Sequence, residues 1–162
     1  MHTAVPNMSL RPAALADAER IFDVYSQSPS YFEIISIPLP TLEEVRRELE
    51  AAAHDPKRYT ELMTTREGEC ERVVGYLDYK LDYPEAGDAT VNLLLIPEAL
   101  QSQGYGRLCV SELETKLKGR AKRILASIYG RNPRAERFWR SLGYTFAIDA
   151  KPILDWYAKE LG

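Results

Sequence analysis

The residues best placed to do chemistry lie in one stretch, Asn92-Leu-Leu-Leu-Ile-Pro-Glu-Ala-Leu-Gln-Ser-Gln-Gly-Tyr-Gly-Arg-Leu108. An apolar run ending at Ile96 leads into a short polar turn containing Gly104 and Gly106, and then into a helical pattern. A strand that delivers such a turn to a helix start gathers backbone N–H groups where the helix dipole places roughly half a positive charge. That is a seat for a phosphate or another anion. The pattern is not the dinucleotide fingerprint, because no third glycine follows at the required place and no acidic residue follows a second parallel strand. It is not a P-loop either, which needs Gly-Lys-Ser/Thr. A glycine-rich cap that merely turns a strand into a helix fits the same residues, and they do not by themselves choose between the two.

Other reactive side chains form no constellation. His2 is terminal, and His54 sits in a His-Asp-Pro helix stop, so no histidine triad is expected. Cys70 and Cys109 have no metal-ligand spacing and no basic neighbour that would mark a nucleophile, and Cys109 falls on the buried face of its helix. No metal site is expected, and two lone thiols suit a reducing cytoplasm. The net charge of −3 is spread over interleaved acids and bases, which argues against a nucleic-acid or anionic-membrane partner. The first residues lack the basic and apolar regions of a signal peptide, and no apolar run reaches the ~18 residues of a membrane span. An apolar content of 45% over 162 residues predicts one soluble, cytoplasmic, globular domain across residues 1–162.

The elements that must position the glycine turn are readable from periodicity. Met8 to Arg11 reads as a first strand closed by Pro12. Ala18, Ile21, Phe22 and Tyr25 give an amphipathic helix from Ala14 to about Ser26. Pro29 to Pro40, with three prolines and the Tyr31-Phe32 pair, reads as an irregular connection. Thr41-Leu-Glu-Glu44 is a capping box that opens a second helix carrying Leu42, Val45, Leu49 and Ala52. Arg58 to Thr65 and Arg72 to Tyr83 form an expected hairpin around Glu67-Gly68-Glu69, followed by a strand from Ala89 to Ile96. After the helix that starts at Gly104, Arg123 to Tyr129 is a strand. Asn132-Pro133 starts another helix, with Gly143 at its end. Tyr144 to Asp149 and Pro152 to Glu160 close the chain as strands, although Ile153 to Leu161 also fits a helix. The order β-α-α-β-β-β-α-β-α-β-β predicts an α+β (mixed α/β) domain: a central, mostly antiparallel sheet with helices on both faces, in three layers. The unit through Ile96, Leu108 and Ile128 should be a parallel, right-handed crossover.

Gln101-x-x-Gly104-x-Gly106 resembles the coenzyme A pyrophosphate loop of the GNAT acetyltransferase superfamily, whose pattern is Arg/Gln-x-x-Gly-x-Gly/Ala. Asn132-x-x-Ala135-x-x-Phe138-Trp139-x-x-Leu142-Gly143-Tyr144 is similar to that family's second motif. Leu10-Arg11-Pro12 with Asp17-Ala18 resembles its first strand and helix, and Val74-Gly75-Tyr76-Leu77 its third strand. The resemblance implies that backbone N–H groups of Ser102, Gln103, Gly104, Tyr105 and Gly106 bind the pyrophosphate of acetyl-CoA, with Gln101 bracing the loop and Arg107 nearby. It implies that Gly106 permits close helix–strand packing, and that the pantetheine arm pairs with the free edge of a bulged strand at Leu94, Leu95 and Ile96. The resemblance also implies cofactor contacts from Asn132 and Phe138, although Asn132 as a helix cap needs no further function. Pro97 stands one place earlier than the family's common proline.

The implied reaction is direct transfer of an acetyl group from acetyl-CoA to a primary amine, on a small molecule or a peptide, within a ternary complex. Tyr31, Asp78 and Tyr83 are the candidate acceptor contacts. Many family members carry an acidic tyrosine seven places after the motif asparagine; here that place is Trp139, so the catalytic residues are unassigned. A module that binds acyl-CoA as a sensor without catalysis is the alternative reading. A structural domain with a glycine helix cap is a third, and a homodimer is compatible with exposed edge strands.

Overall fold

The computed structural model describes residues 7–129, 131–151 and 154–161, so His2 and Pro152 lie outside the described residues. Four strands precede the crossover: β1 (Met8–Pro12), β2 (Arg58–Glu67), β3 (Cys70–Leu81) and β4 (Asp88–Leu95). After it come β5 (Arg123–Tyr129), β6 (Thr145–Lys151) and β7 (Leu154–Glu160). They form one sheet in the order β1-β2-β3-β4-β5-β7-β6. Each neighbouring pair is antiparallel except β4 and β5, which run parallel. That parallel pair encloses helix α4 (Tyr105–Leu117), as the crossover pattern requires.

Helices α1 (Ala18–Ser26), α2 (Pro29–Ile35) and α3 (Leu42–Ala53) cover one face of the sheet. Ala18, Ile21 and Val24 of α1, Phe32 of α2, and Val45 and Leu49 of α3 pack there with Leu62, Tyr76 and Leu95. Helix α5 (Pro133–Ser141) joins α4 on the other face, where Cys109, Val110, Leu113 and Trp139 meet Leu77, Tyr79, Ile124 and Tyr144. Burying each such large apolar side chain contributes roughly 1.5–3 kcal/mol, which sets both helical layers firmly on the sheet. The three-layer α+β architecture expected from the sequence is the one observed.

Local chemistry explains the element ends. Thr41 Oγ1 accepts the Glu44 N–H while Glu44 Oε1 accepts the Thr41 N–H, both at 3.1 Å, closing the expected capping box. Asp17, at the start of α1, accepts the Ala14 N–H at 2.8 Å and a two-pronged contact from Arg11 at 2.9 Å. Gly75 lies where strands press together: a Cβ there would collide with Met63 Sδ and the Leu95 carbonyl. This is the physical content of the Val74-Gly75-Tyr76-Leu77 signature.

Two expectations need correction. Residues 29–40 are not wholly irregular, because Pro29–Ile35 is a helix. Pro29 sits in its first turn, where the missing N–H costs nothing, and Ser36 ends it in a left-handed conformation at φ 59°. The chain therefore has three helices, not two, between β1 and β2. The free edge of β4 also begins earlier than Leu94, for the reason given below. The end of the chain is a strand, β7, rather than a helix.

Candidate active site

The sheet is split beside its parallel pair. Along β3 and β4, Asp78 faces Leu93 but the next residue, Tyr79, faces Val91, so Asn92 is an extra, bulged residue. Pairing between β4 and β5 runs from Asp88–Arg123 to Val91–Ala126 and stops there. Beyond that point the bulge turns β4 away. Asn92, Leu93 and Leu94 then border a cleft whose far wall is Ser127, Ile128 and Tyr129. The free backbone edge thus starts at Asn92. Tyr31 borders the cleft from the α1–α3 side, and Asn132, Ala135 and Trp139 border it from the α5 side.

The glycine turn stands next to this edge. A 3₁₀ turn over Glu98–Leu100 follows Pro97, and Gln101 then reaches back so that its Nε2 donates to the Ile96 carbonyl at 2.9 Å. Gln103 Nε2 donates to the Ala99 carbonyl at 3.1 Å. These side-chain bonds hold the turn in shape, and Ser102 (φ 64°) and Gly104 (φ 93°) bend it in left-handed conformations. The first helical bond of α4 runs from the Leu108 N–H to the Gly104 carbonyl at 3.0 Å. Among the described residues, the backbone N–H groups of residues 102–107 have no hydrogen-bond acceptor. Gly104 faces open space: nothing lies within 4 Å of where its Cβ would be. Gly106 is the opposite case, since a Cβ there would stand 3.0 Å from the Phe138 ring and 3.4 Å from Ile96 Cδ1. The turn is therefore a set of unpaired amides at a helix start, open on one side and packed on the other.

The sequence-expected residues fall into distinct places. Ser102, Gln103, Gly104 and Arg107 are exposed around the turn, Tyr105 and Gly106 are buried, and Leu95 is buried in the core on the α1–α3 face. Phe138 wedges against Gly106 and packs edge-on against Trp139, with ring centroids 5.2 Å apart. Asn132 is buried, caps α5 by accepting the Ala135 N–H at 3.1 Å, and also borders the cleft. Tyr31 reaches the cleft from α2. Asp78 and Tyr83 do not border it. Asp78, buried on the α1–α3 face, takes two hydrogen bonds from Arg58, at 2.6 and 3.1 Å. Burial raises its carboxyl above the usual range, outweighing the downward pull of Arg58 and, more weakly, of Asn92. Tyr83 is exposed at the turn into β4, where Lys80 Nζ lies 4.9 Å from its ring centre.

Three further features complete the site. Tyr129, the last residue of β5, forms one wall of the cleft, and the end of a strand just before the Asn132 motif is the signal that marks it. Trp139 borders the cleft from the α5 position at which the resemblance implies a tyrosine, its ring packed edge-on against Tyr144. The third is a tether from α2 to the segment after β4. The Ser30 N–H donates to Glu98 Oε1 at 2.7 Å and the Glu98 N–H donates to the Gln27 carbonyl at 2.9 Å, while the buried Ser28 gives its hydroxyl proton to the Val24 carbonyl at 2.8 Å. The partner of Ser30 lies 68 positions away, and no local pattern announces it.

The fold as a whole has counterparts among solved structures. The chain is similar to an acetyltransferase from Thermus thermophilus, with 40% identity over 98% of this chain and 99% of that one, at a TM-score of 0.89. The fold is shared with a spermidine N-acetyltransferase from Vibrio cholerae in complex with CoA and spermine, at 12% identity, 95% coverage of both chains and a TM-score of 0.76. It is also shared with an acetyl transferase from Salmonella typhimurium that modifies the N-terminal serine of ribosomal protein L7/L12, at 15% identity, 97% coverage of both chains and a TM-score of 0.79. Among curated proteins none matches the chain. The family profile described as Acetyltransferase (GNAT) family matches residues 19–144, a span that takes in the split strands, the glycine turn and the Asn132 helix together. This chain belongs to the GNAT family of acetyltransferases.

Proposed function

We propose that this acetyltransferase binds acetyl-CoA across the split between β4 and β5 and moves the acetyl group directly to a primary amine. The observation that carries the reading is the juxtaposition of the unpaired amides of residues 102–107 with the free strand edge that begins at Asn92. A diphosphate suits the amides and the dipole at the start of α4. An extended arm with amide groups suits the free edge of β4 that begins at Asn92, in the manner of an added strand. Gln101 keeps the turn in register with that edge, Arg107 adds a nearby positive charge, and Asn132 has its side-chain nitrogen left over for the ligand. No step needs a covalent acetyl-enzyme: Cys109 is buried and burial pushes its thiol well above the ordinary range, while Cys70 is exposed at a hairpin turn. Holding amine and thioester in register supplies an effective molarity on the order of 10⁵ M or more.

The acceptor enters opposite the cofactor, past Tyr31 on α2 and Tyr129 on β5, and it is a small amine or a peptide amine. The test is calorimetric titration with acetyl-CoA, followed by mass spectrometry of a panel holding spermidine, a lysine peptide and a peptide with a free N-terminal serine. Binding together with a mass gain of one acetyl group on any of them supports the reading. Failure to bind acetyl-CoA overturns it.

A second reading, an acyl-CoA sensor without turnover, draws on Trp139, which places a side chain with no titratable proton in the cleft. Tight binding with no acetylated product from any amine favours that reading.

A further inference from the structure

Trp139 cannot release a proton to the leaving thiolate, and the cleft offers a phenol from the opposite layer. We propose that Tyr31 of α2 is the catalytic acid of this enzyme, donating its phenolic proton to the coenzyme A sulfur as the thioester breaks. The assignment rests on the acetyl-CoA reading above.

Four observations carry it. Tyr31 and Trp139 border the same cleft from opposite sides of the split sheet, so a group leaving between β4 and β5 passes between them. Tyr31 is fixed in place: its ring packs edge-on against the buried Phe32 at 5.2 Å, and the two hydrogen bonds at Gln27 and Ser30 pin the start of α2 to Glu98. Its position is thus set relative to the strand edge that holds the thioester arm. Among the described residues its hydroxyl has no hydrogen-bond partner, so the proton is uncommitted. Burial, with a smaller push from Tyr129, raises the phenol to about 12, which keeps it protonated at any physiological pH.

The balance is simple. The amine lone pair forms the C–N bond, and the C–S bond breaks with its electron pair on sulfur. The Tyr31 proton passes to that sulfur to give free coenzyme A. The phenolate then recovers a proton from the new amide nitrogen, directly or through water, and the enzyme is regenerated. Tyr129, on the far wall and more exposed, stands on the side from which the acceptor enters.

The experiment uses the full chain with whichever amine of the panel gives the fastest wild-type turnover. Tyr31→Phe is expected to lower kcat on the order of 10²-fold, while acetyl-CoA affinity by calorimetry stays within about threefold. Adding Trp139→Tyr, which restores a phenol on α5, is expected to recover at least tenfold of that loss. A merely structural role for Tyr31 would not respond to a new phenol on another helix. Wild-type kcat in Tyr31→Phe, a loss confined to acetyl-CoA affinity, or no recovery in a folded double variant each overturns the assignment. Absence of wild-type binding or turnover overturns the parent reading instead, and is seen before any variant is made.

Discussion

Glu98 accepts the backbone N–H of Ser30 at 2.7 Å, joining the first turn of α2 to the segment that leaves β4. One wall of the cleft and the segment that leads to the glycine turn are therefore a single mechanical unit, and Glu98 returns its own N–H to Gln27 at 2.9 Å. Replacing the carboxylate frees α2 without touching the glycine turn. Glu98→Ala is expected to lower kcat several-fold with little change in acetyl-CoA affinity, measured by steady-state kinetics beside calorimetry. An equal loss in both would mean that α2 and the turn are not separable in this way.

Gly106 tests the packed side of the turn. A Cβ at 3.0 Å from the Phe138 ring obliges that ring to shift, and a larger side chain cannot be accommodated by a shift of tenths of an ångström. Gly106→Val is expected to cost roughly 1–3 kcal/mol by overpacking, read as a lower midpoint in chemical denaturation. Adding Phe138→Ala should return part of it, because the two changes share one contact. Purely additive losses would show that Phe138 is not what the residue meets.

Arg58 and Asp78 form a nearly buried pair, with side chains 21% and 7% exposed. Removing the arginine alone leaves an uncompensated carboxylate, so Arg58→Met is expected to destabilise by about 3–5 kcal/mol at pH 7. Replacing both, as Arg58→Met with Asp78→Leu, should recover most of that. The sign with pH follows from the raised carboxyl of Asp78: its folded form binds a proton more readily than its unfolded form, so stability is favoured below the unfolded value near 4 and lost as pH rises through the folded one. Arg58→Met should thus regain stability as the pH is lowered from 7 to 5. Midpoints that do not move over that range would place Asp78 in water.

Asp17 predicts the opposite slope. Its hydrogen bonds from Arg11, helped by the Ala14 N–H, hold the carboxyl below its ordinary range despite burial. A folded value below the unfolded one means stabilisation that is complete above about pH 4 and disappears as the pH falls through the folded value. Asp17→Asn is expected to cost roughly 1.5–3 kcal/mol at pH 7 and to flatten the acid side of the stability profile. Thermal melts from pH 7 down to 3 on both proteins check it; parallel curves would count against the ion pair.

The sequence alone determined what is local. Capping by Thr41 and Asn132, the hairpin around Gly68, and the turn from Gln101 to Gly106 each depend on residues within a few positions of one another, so their physics is written consecutively along the chain. The three-layer α+β fold and the resemblance to acetyltransferases follow from the order of those pieces. Tertiary structure decided the rest. Helix α2 is hidden in the sequence because its seven residues are too few to show a period, and it is held by Phe32 packing and by the bond from Ser30 to Glu98, 68 positions away. The bulge at Asn92 is a matter of register with Asp78 and Tyr79, which only strand pairing fixes. Asp78 reads as an acceptor contact along the chain, and only its 2.6 Å bond to Arg58 shows it to be committed elsewhere. Above all, Tyr31 and Trp139 face one cleft only because β4 parts from β5 after Val91, a place where backbone pairing, not side-chain pattern, ends.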